Sequence, residues 1–149
     1  MTRCVPLLSR GCTSPQTRLN SSVGLMYGTG MRLMQVMRLR VQDVDFAYRQ
    51  VVVRVGKGNK DGVVPLPLHL ESPLESQIAM TLQIYAADLE FGFGRVHLQH
   101  ALARKYPSAE TSEGWQYVFP ARRRSIDPRT GITRRHHLDE TVLQKSVLP

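Results

Sequence analysis

Five residues that favour extended backbone, Val51-Val52-Val53-Arg54-Val55, run into Gly56-Lys57-Gly58-Asn59-Lys60-Asp61 and then into Val63-Val64-Pro65-Leu66-Pro67-Leu68. β-Branched side chains fit a pleated, half-buried surface, whereas glycine and asparagine tolerate the positive φ of a tight reversal. The pattern predicts a hairpin, or the first two strands of a three-stranded sheet, with Lys57 and Lys60 on its turn. A Walker phosphate loop is excluded, because it needs Gly-x-x-x-x-Gly-Lys, then Ser or Thr and a helix; here a strand follows.

Helical periodicity brackets this hairpin. Upstream, Leu33, Val36 and Met37 fall on one face of a short helical stretch from Leu33 to Leu39, and another is expected from Asn20 to Met26, closing at Gly28. Downstream, Ser72-Pro73-Leu74-Glu75 offers a capping serine, a proline in the first turn and a glutamate three residues after the cap. Leu74, Ile78, Leu82, Tyr85 and Leu89 then recur at helical intervals and mark the longest helix, which Phe91-Gly92-Phe93-Gly94 breaks. A further helix is expected from about Val96 to Lys105, ending before Pro107. After it come a strand from Trp115 to Phe119 and an extended loop from Ala121 to Arg135. A last helix, from about Asp139 to Val147, has Leu138, Val142 and Val147 inward. Residues 1–18 are polar, carry Pro6 and Pro15 and show no sustained period, so they read as disordered or as a foreign leader. The fold class is α+β: helices with a small antiparallel sheet of two to three strands, in one domain over residues 19–149.

With 149 residues and 42% hydrophobic content, the chain can bury one core. Its net charge of +8 is unevenly spread. Residues 1–60 hold ten Lys/Arg against two acids, residues 61–120 three against seven, and residues 121–149 seven against three. Positive ends around an acidic middle suit a protein that lays chosen segments on a phosphate backbone, where counterion release supplies affinity; a generally soluble basic protein has the same composition. Cys4 and Cys12 are too few for a disulfide framework and lack zinc spacing, which fits a reducing cytoplasm. His97 and His100 make a His-x-x-His pair without a nearby third ligand, so neither a metal nor a cofactor is expected. No apolar stretch approaches the ~20 residues of a membrane span. The acid-free first 42 residues are similar to a transit peptide in composition, a reading set aside because residues with a chemical role already lie within them.

Arg32 stands in Tyr27-Gly28-Thr29-Gly30-Met31-Arg32, ahead of Asp43-Val44-Asp45 and the lysine turn. This layout resembles the first active-site box of the tyrosine recombinases, the phage integrase family. Ala101-Leu102-Ala103-Arg104-Lys105-Tyr106-Pro107, Gly114-Trp115-Gln116-Tyr117-Val118-Phe119-Pro120 and Arg134-Arg135-His136-His137-Leu138-Asp139-Glu140 are similar to the integron integrases among them. The resemblance covers roughly residues 19 to 147, the first half of a catalytic domain. The family's core-binding domain, His-x-x-Arg box, further His or Trp and nucleophilic tyrosine do not occur in the sequence. In such enzymes a tyrosine oxygen attacks a DNA phosphate, and the charge that builds on the non-bridging oxygens is met by preplaced donors. The resemblance gives that role to Arg32, whose planar, always-charged guanidinium donates two parallel bonds to a phosphate. It gives Lys57 the protonation of the departing 5′ oxygen, with Lys60 a competitor in the same turn. Gln35 replaces the acid that the family commonly has three positions after the arginine.

For the integron integrases the resemblance also implies a helical insertion, here about 96–113, and recognition of folded single-stranded sites whose unpaired bases protrude from the duplex. It assigns Trp115, Pro128, His136 and His137 to those bases, since a flat ring is worth ~1–3 kcal/mol per stacked base. Arg134 and Arg135, with Arg122, Arg123 and Arg124, are assigned to phosphates. Taken alone, Trp115 reads equally as a core residue and Pro128 as an ordinary turn element. The implied protein is a truncated integron integrase, cytoplasmic and nucleoid-associated. Its partners would be DNA and full-length integrase protomers, and it is expected not to cleave DNA by itself. Two alternatives stay open: a non-catalytic DNA-binding protein, and an inert product of a decayed gene.

Overall fold

A proline at one end and a positive-φ glycine at the other bound the first helix, α1 (Pro15–Thr29). It exceeds the expected Asn20–Met26 because Pro15 is pre-set for a helix start. At the other end Gly30, at φ 71, turns the chain away while its N–H still donates to the Met26 carbonyl at 3.0 Å. The computed structural model of the chain describes residues 15–54, 61–98 and 100–147. Residues 1–14 of the expected leader lie outside the described residues, and 15–18 are helical.

After α2 (Leu33–Met37), the strands β1 (Val44–Asp45), β2 (Gln50–Val53) and β3 (Gly62–Pro65) form an antiparallel meander in that order. Val44 faces Val51, and Val51 faces Val64. The expected hairpin strands are therefore the second and third of a three-stranded sheet, not the first and second. Their last described pair is Val53 with Gly62, and Lys57 and Lys60 lie outside the described residues. Val51 and Val53 are buried whereas Val63 is 58% exposed, so the sheet covers the core with one face.

The long helix α3 (Leu68–Glu90) starts one turn earlier than expected. Pro67, at φ −61, supplies the extended residue before it, and the Leu70 N–H donates to the Pro67 carbonyl at 3.0 Å. Pro73 thus sits inside the helix, where it offers no N–H to the carbonyl four residues back. Leu74, Ile78 and Tyr85 are buried as expected, but Leu89 is exposed in the last turn. α1 lies close against α3: a Cβ on Gly24 would sit 2.7 Å from Leu70 Cδ2. Leu25, Val36, Met37, Val51, Leu74 and Phe119 belong to the resulting core. Full burial of each such side chain stabilises by about 1.5–3 kcal/mol.

Residues 93–138 depart most from expectation. Residues 93–98 are not helical, and the helix expected from Val96 shrinks to α4 (His100–Lys105). Trp115–Phe119 is not a strand. Trp115 closes a 3-10 turn, Tyr117, Val118 and Phe119 are all buried, and the segment is fastened by isolated bridges from Tyr117 to Arg40 and from Pro120 to His137. The expected loop contains a small hairpin, β4 (Ser125–Ile126) with β5 (Thr133–Arg134). Before and in α5 (Glu140–Val147), Leu138 is buried as expected, but Val142 is exposed and its neighbour Leu143 is buried in its place. Val96, Leu98 and Ala109 form a second, small cluster, against which Leu102, Ala103 and Trp115 pack. The chain is thus α+β, helices with small antiparallel sheets. Among the described residues no helix is long and apolar enough to cross a membrane, and no cluster of His, Cys, Asp or Glu could hold a metal.

Candidate nucleic-acid interface

Arg32 is held by its backbone and presented by its side chain. Met31 before it is buried, and the Arg32 carbonyl accepts the Gln35 and Val36 N–H groups at 2.9 and 3.1 Å, starting α2. The Gln35 side-chain oxygen in turn accepts the Arg32 N–H at 2.9 Å. Gln35, which stands where the family commonly has an acid, therefore closes the helix start as a neutral cap. Arg32 itself is exposed. Lys57 falls outside the described residues, so the geometry of the pair is carried by Arg32 alone.

Trp115 is gathered by arginines from the first half of the chain. Arg40 donates to the carbonyls of Trp115 (2.7 Å) and His97 (2.9 Å) and to the Tyr117 hydroxyl (3.2 Å). Its guanidinium lies 4.0 Å from the Tyr117 ring centroid and 6.0 Å from that of Trp115. Arg54 stands over the Trp115 ring at 5.3 Å and donates to Asp43 at 2.6 Å. Burial pushes the Asp43 carboxyl up against the pull of Arg54, and burial likewise lowers Arg40. Trp115 is half-buried, a ring fixed in place with part of its surface open.

Pro128 sits on the exposed tip between β4 and β5, and Asp127 builds that tip. The Asp127 carboxylate accepts the Arg129 N–H at 2.9 Å, and its carbonyl accepts the Gly131 N–H at 2.7 Å. The other carboxylate oxygen lies 3.6 Å from His97 Nδ1 and 3.9 Å from Arg134 Nε. The Arg129 N–H, followed by His97 and Arg134, holds the Asp127 carboxyl below the usual range. His97 and His136 are both pushed down, first by burial, against the attraction of Asp127. The structure thus links Trp115 to the Pro128 turn through Arg40, His97 and Asp127, which sequence reasoning did not assign. Asp127 had a local signal, an aspartate opening a Pro-containing turn; Arg40 had none, because its partners lie far along the chain. His137 meets the same group through Tyr117, edge-on to its ring at 5.4 Å.

Two of the five arginines expected at phosphates, Arg134 and Arg135, have other partners. Arg134 is buried and donates to the Val96 carbonyl at 2.8 Å. Arg135 makes a two-point contact with Asp88 at 2.7 and 2.9 Å and donates to the Ala121 and Arg122 carbonyls at 2.8 and 2.7 Å. In this geometry both brace the 121–135 segment; Arg122, Arg123 and Arg129 stay exposed, as does Arg124, which lies 3.9 Å from Asp88.

The sequence profile of the phage integrase family matches residues 5–125. A protein described as integrase/recombinase from Escherichia coli is 41% identical over 122 residues, covering 82% of this chain and 36% of the relative. One of the same description from Pseudomonas aeruginosa matches to the same extent. Tyrosine recombinase XerA of Thermococcus onnurineus (strain NA1) is 48% identical over 46 residues, 31% of this chain and 16% of that protein. A crystal structure of XerA recombinase superposes with a TM-score of 0.49 at 20% identity, covering 92% of this chain and 35% of that one. The chain spans about a third of the length of the first two relatives, 36% in each.

Proposed function

This chain belongs to the phage integrase family, and from that premise we propose that it is an integron-integrase fragment that binds folded single-stranded recombination sites in DNA and does not cleave DNA by itself. The observation that carries this reading is the linkage of Trp115 to the Pro128 turn through Arg40, His97 and Asp127. Unpaired bases need flat rings held rigidly beside cations, and a half-buried tryptophan flanked by two guanidiniums is such a ring. His137 adds a further base contact, and the exposed arginines supply phosphate contacts that carry no sequence information.

Arg32 is the phosphate clamp and Lys57 the proton donor to the leaving 5′ oxygen. Arg134 and Arg135 serve the interface by holding the segment that bears Pro128 and His136. These 149 residues contain no His-x-x-Arg box, and none of the tyrosines stands where the family places its nucleophile. The chain alone therefore holds a phosphate without attacking it, and strand transfer would require groups from elsewhere, such as a full-length integrase protomer.

Gel retardation at several salt concentrations tests the binding. A folded single-stranded attachment site is expected to bind more tightly than a random hairpin of equal length, with affinity falling steeply as salt rises. Equal affinity for both would overturn specific recognition. A nicked suicide substrate is expected to yield no protein–DNA adduct; a covalent adduct would overturn the non-cleaving assignment.

A further inference from the structure

The C-terminal end of α3 is a rigid aromatic turn beside a run of arginines. The Phe93 N–H donates to the Asp88 carbonyl at 2.7 Å and the Gly92 N–H to the Leu89 carbonyl at 3.0 Å, the paired bonds of a Schellman turn, with Gly92 at φ 80. This turn leaves Phe91 70% exposed. The Arg124 guanidinium lies over both neighbouring rings, 4.2 Å from the Phe93 centroid and 5.7 Å from that of Phe91. The backbone carrying Arg124 is fastened to α3, because Arg135 joins the Ala121 and Arg122 carbonyls to the Asp88 carboxylate. Arg122 and Arg123 stand exposed on that braced backbone, and among the described residues neither makes an ion pair. Glu90 is exposed next to Phe91, and Asp88 is shared by Arg135 at 2.7 Å and Arg124 at 3.9 Å, so Arg122 and Arg123 leave the site positive.

We propose that Phe91, Arg122, Arg123 and Arg124 form a second contact site for single-stranded DNA. An unpaired base stacks on the open face of Phe91, and the adjoining phosphates meet Arg122 and Arg123. Every base has a π-face, so the platform is sequence-tolerant. The guanidinium of Arg124 reinforces it through its own contact with the ring. The planar guanidinium also suits phosphate, donating two bonds at once. Without the clamp of Arg135 and Asp88 the arginines would be ordered only on binding, at an entropic cost. The site rests on the DNA-binding reading above but uses none of Trp115, Pro128, His136 or His137.

The test is fluorescence anisotropy of the full chain with a labelled oligothymidylate and with a fully paired hairpin, for the parent and for Phe91→Ala, Phe91→Trp and the double variant Arg122→Gln/Arg123→Gln. Phe91→Ala is expected to weaken binding of the single strand by roughly tenfold and to leave the paired hairpin within about twofold. Phe91→Trp should restore the single-strand affinity. The arginine variant should flatten the salt dependence by about 0.7 in log–log slope for each phosphate no longer neutralised. Phe91 is largely exposed, so circular dichroism should show the parent fold in all three. If the parent prefers the single strand and Phe91→Ala binds it equally well, this site is overturned while the Trp115 interface stands. If the parent shows no preference for the single strand, both fall.

Discussion

Residues 15–90 and residues 93–137 share one fold but are held by different forces. The first stretch is two short helices, a meander and a long helix, joined by an apolar core in which Val36, Met37 and Val51 are fully buried. The second has little regular structure, and arginines reaching into it supply what helices and strands would otherwise provide: Arg40 takes the Trp115 and His97 carbonyls, Arg134 takes that of Val96, and Arg135 those of Ala121 and Arg122. A backbone without ladder partners must find donors elsewhere, and a guanidinium offers up to five. Apolar packing therefore fixes the frame and anchors Val118 and Phe119 to it, while charge-assisted bonds add the backbone fastening of the surface that carries the candidate interface.

Substitutions that strike one stretch and spare the other can break this comparison. Leu74→Ala removes a buried side chain at the centre of the frame and is expected to cost about 2–5 kcal/mol, read from the urea midpoint. Arg40→Met leaves two carbonyls without their donor and should cost about 1–3 kcal/mol. Hydrogen exchange should place that loss at residues 94–98 and 115–118, with α1 and α3 retaining most of their protection. A uniform loss would mean that the two stretches are one cooperative unit.

Acidification is expected to loosen the second stretch by a smaller amount. Burial lowers His97 and His136 in the folded chain, so the unfolded chain binds more protons between the two sets of values. Their contribution is complete above about pH 6.5 and is lost as pH falls through the folded values. Asp127, itself held low, keeps its contribution until pH falls below about 4. Thermal melts at pH 7.5 and 5.5 should show lower stability at the acid value, and no difference would contradict the burial of the two rings. The smallest effect belongs to the Arg49–Glu71 pair at 3.8 Å, an exposed arginine with a half-buried acid: Glu71→Gln should change stability by no more than about 0.5 kcal/mol in the same melts.

The same division explains what the sequence could tell. Periodicity located the short Arg32 helix, the two strands beside the lysine turn and the Leu74–Tyr85 stripe, because apolar burial leaves a repeating trace. It missed the start of α3 because Pro67 and Pro73 both fit a first turn, and only the packing of Leu70 decides between them. It failed at Tyr117-Val118-Phe119, where burial on every side leaves no alternation, and at Val142 and Leu143, where one residue of phase separates core from solvent. Within the candidate site, Trp115 and Pro128 were legible only as candidates, through the family resemblance. Their supports Arg40, Arg54 and Asp88 were not, since a buried arginine and an exposed one are the same letter until the distant carbonyl or carboxylate is found.

Hydrogen exchange of the chain with and without a DNA hairpin bearing unpaired bases tests the central claim most directly. Slowed exchange at residues 115–118 and 128–137, together with the start of α2 at Arg32, is the predicted result. A chain whose protection is unchanged there, or rises only along the acidic α3, would contradict it.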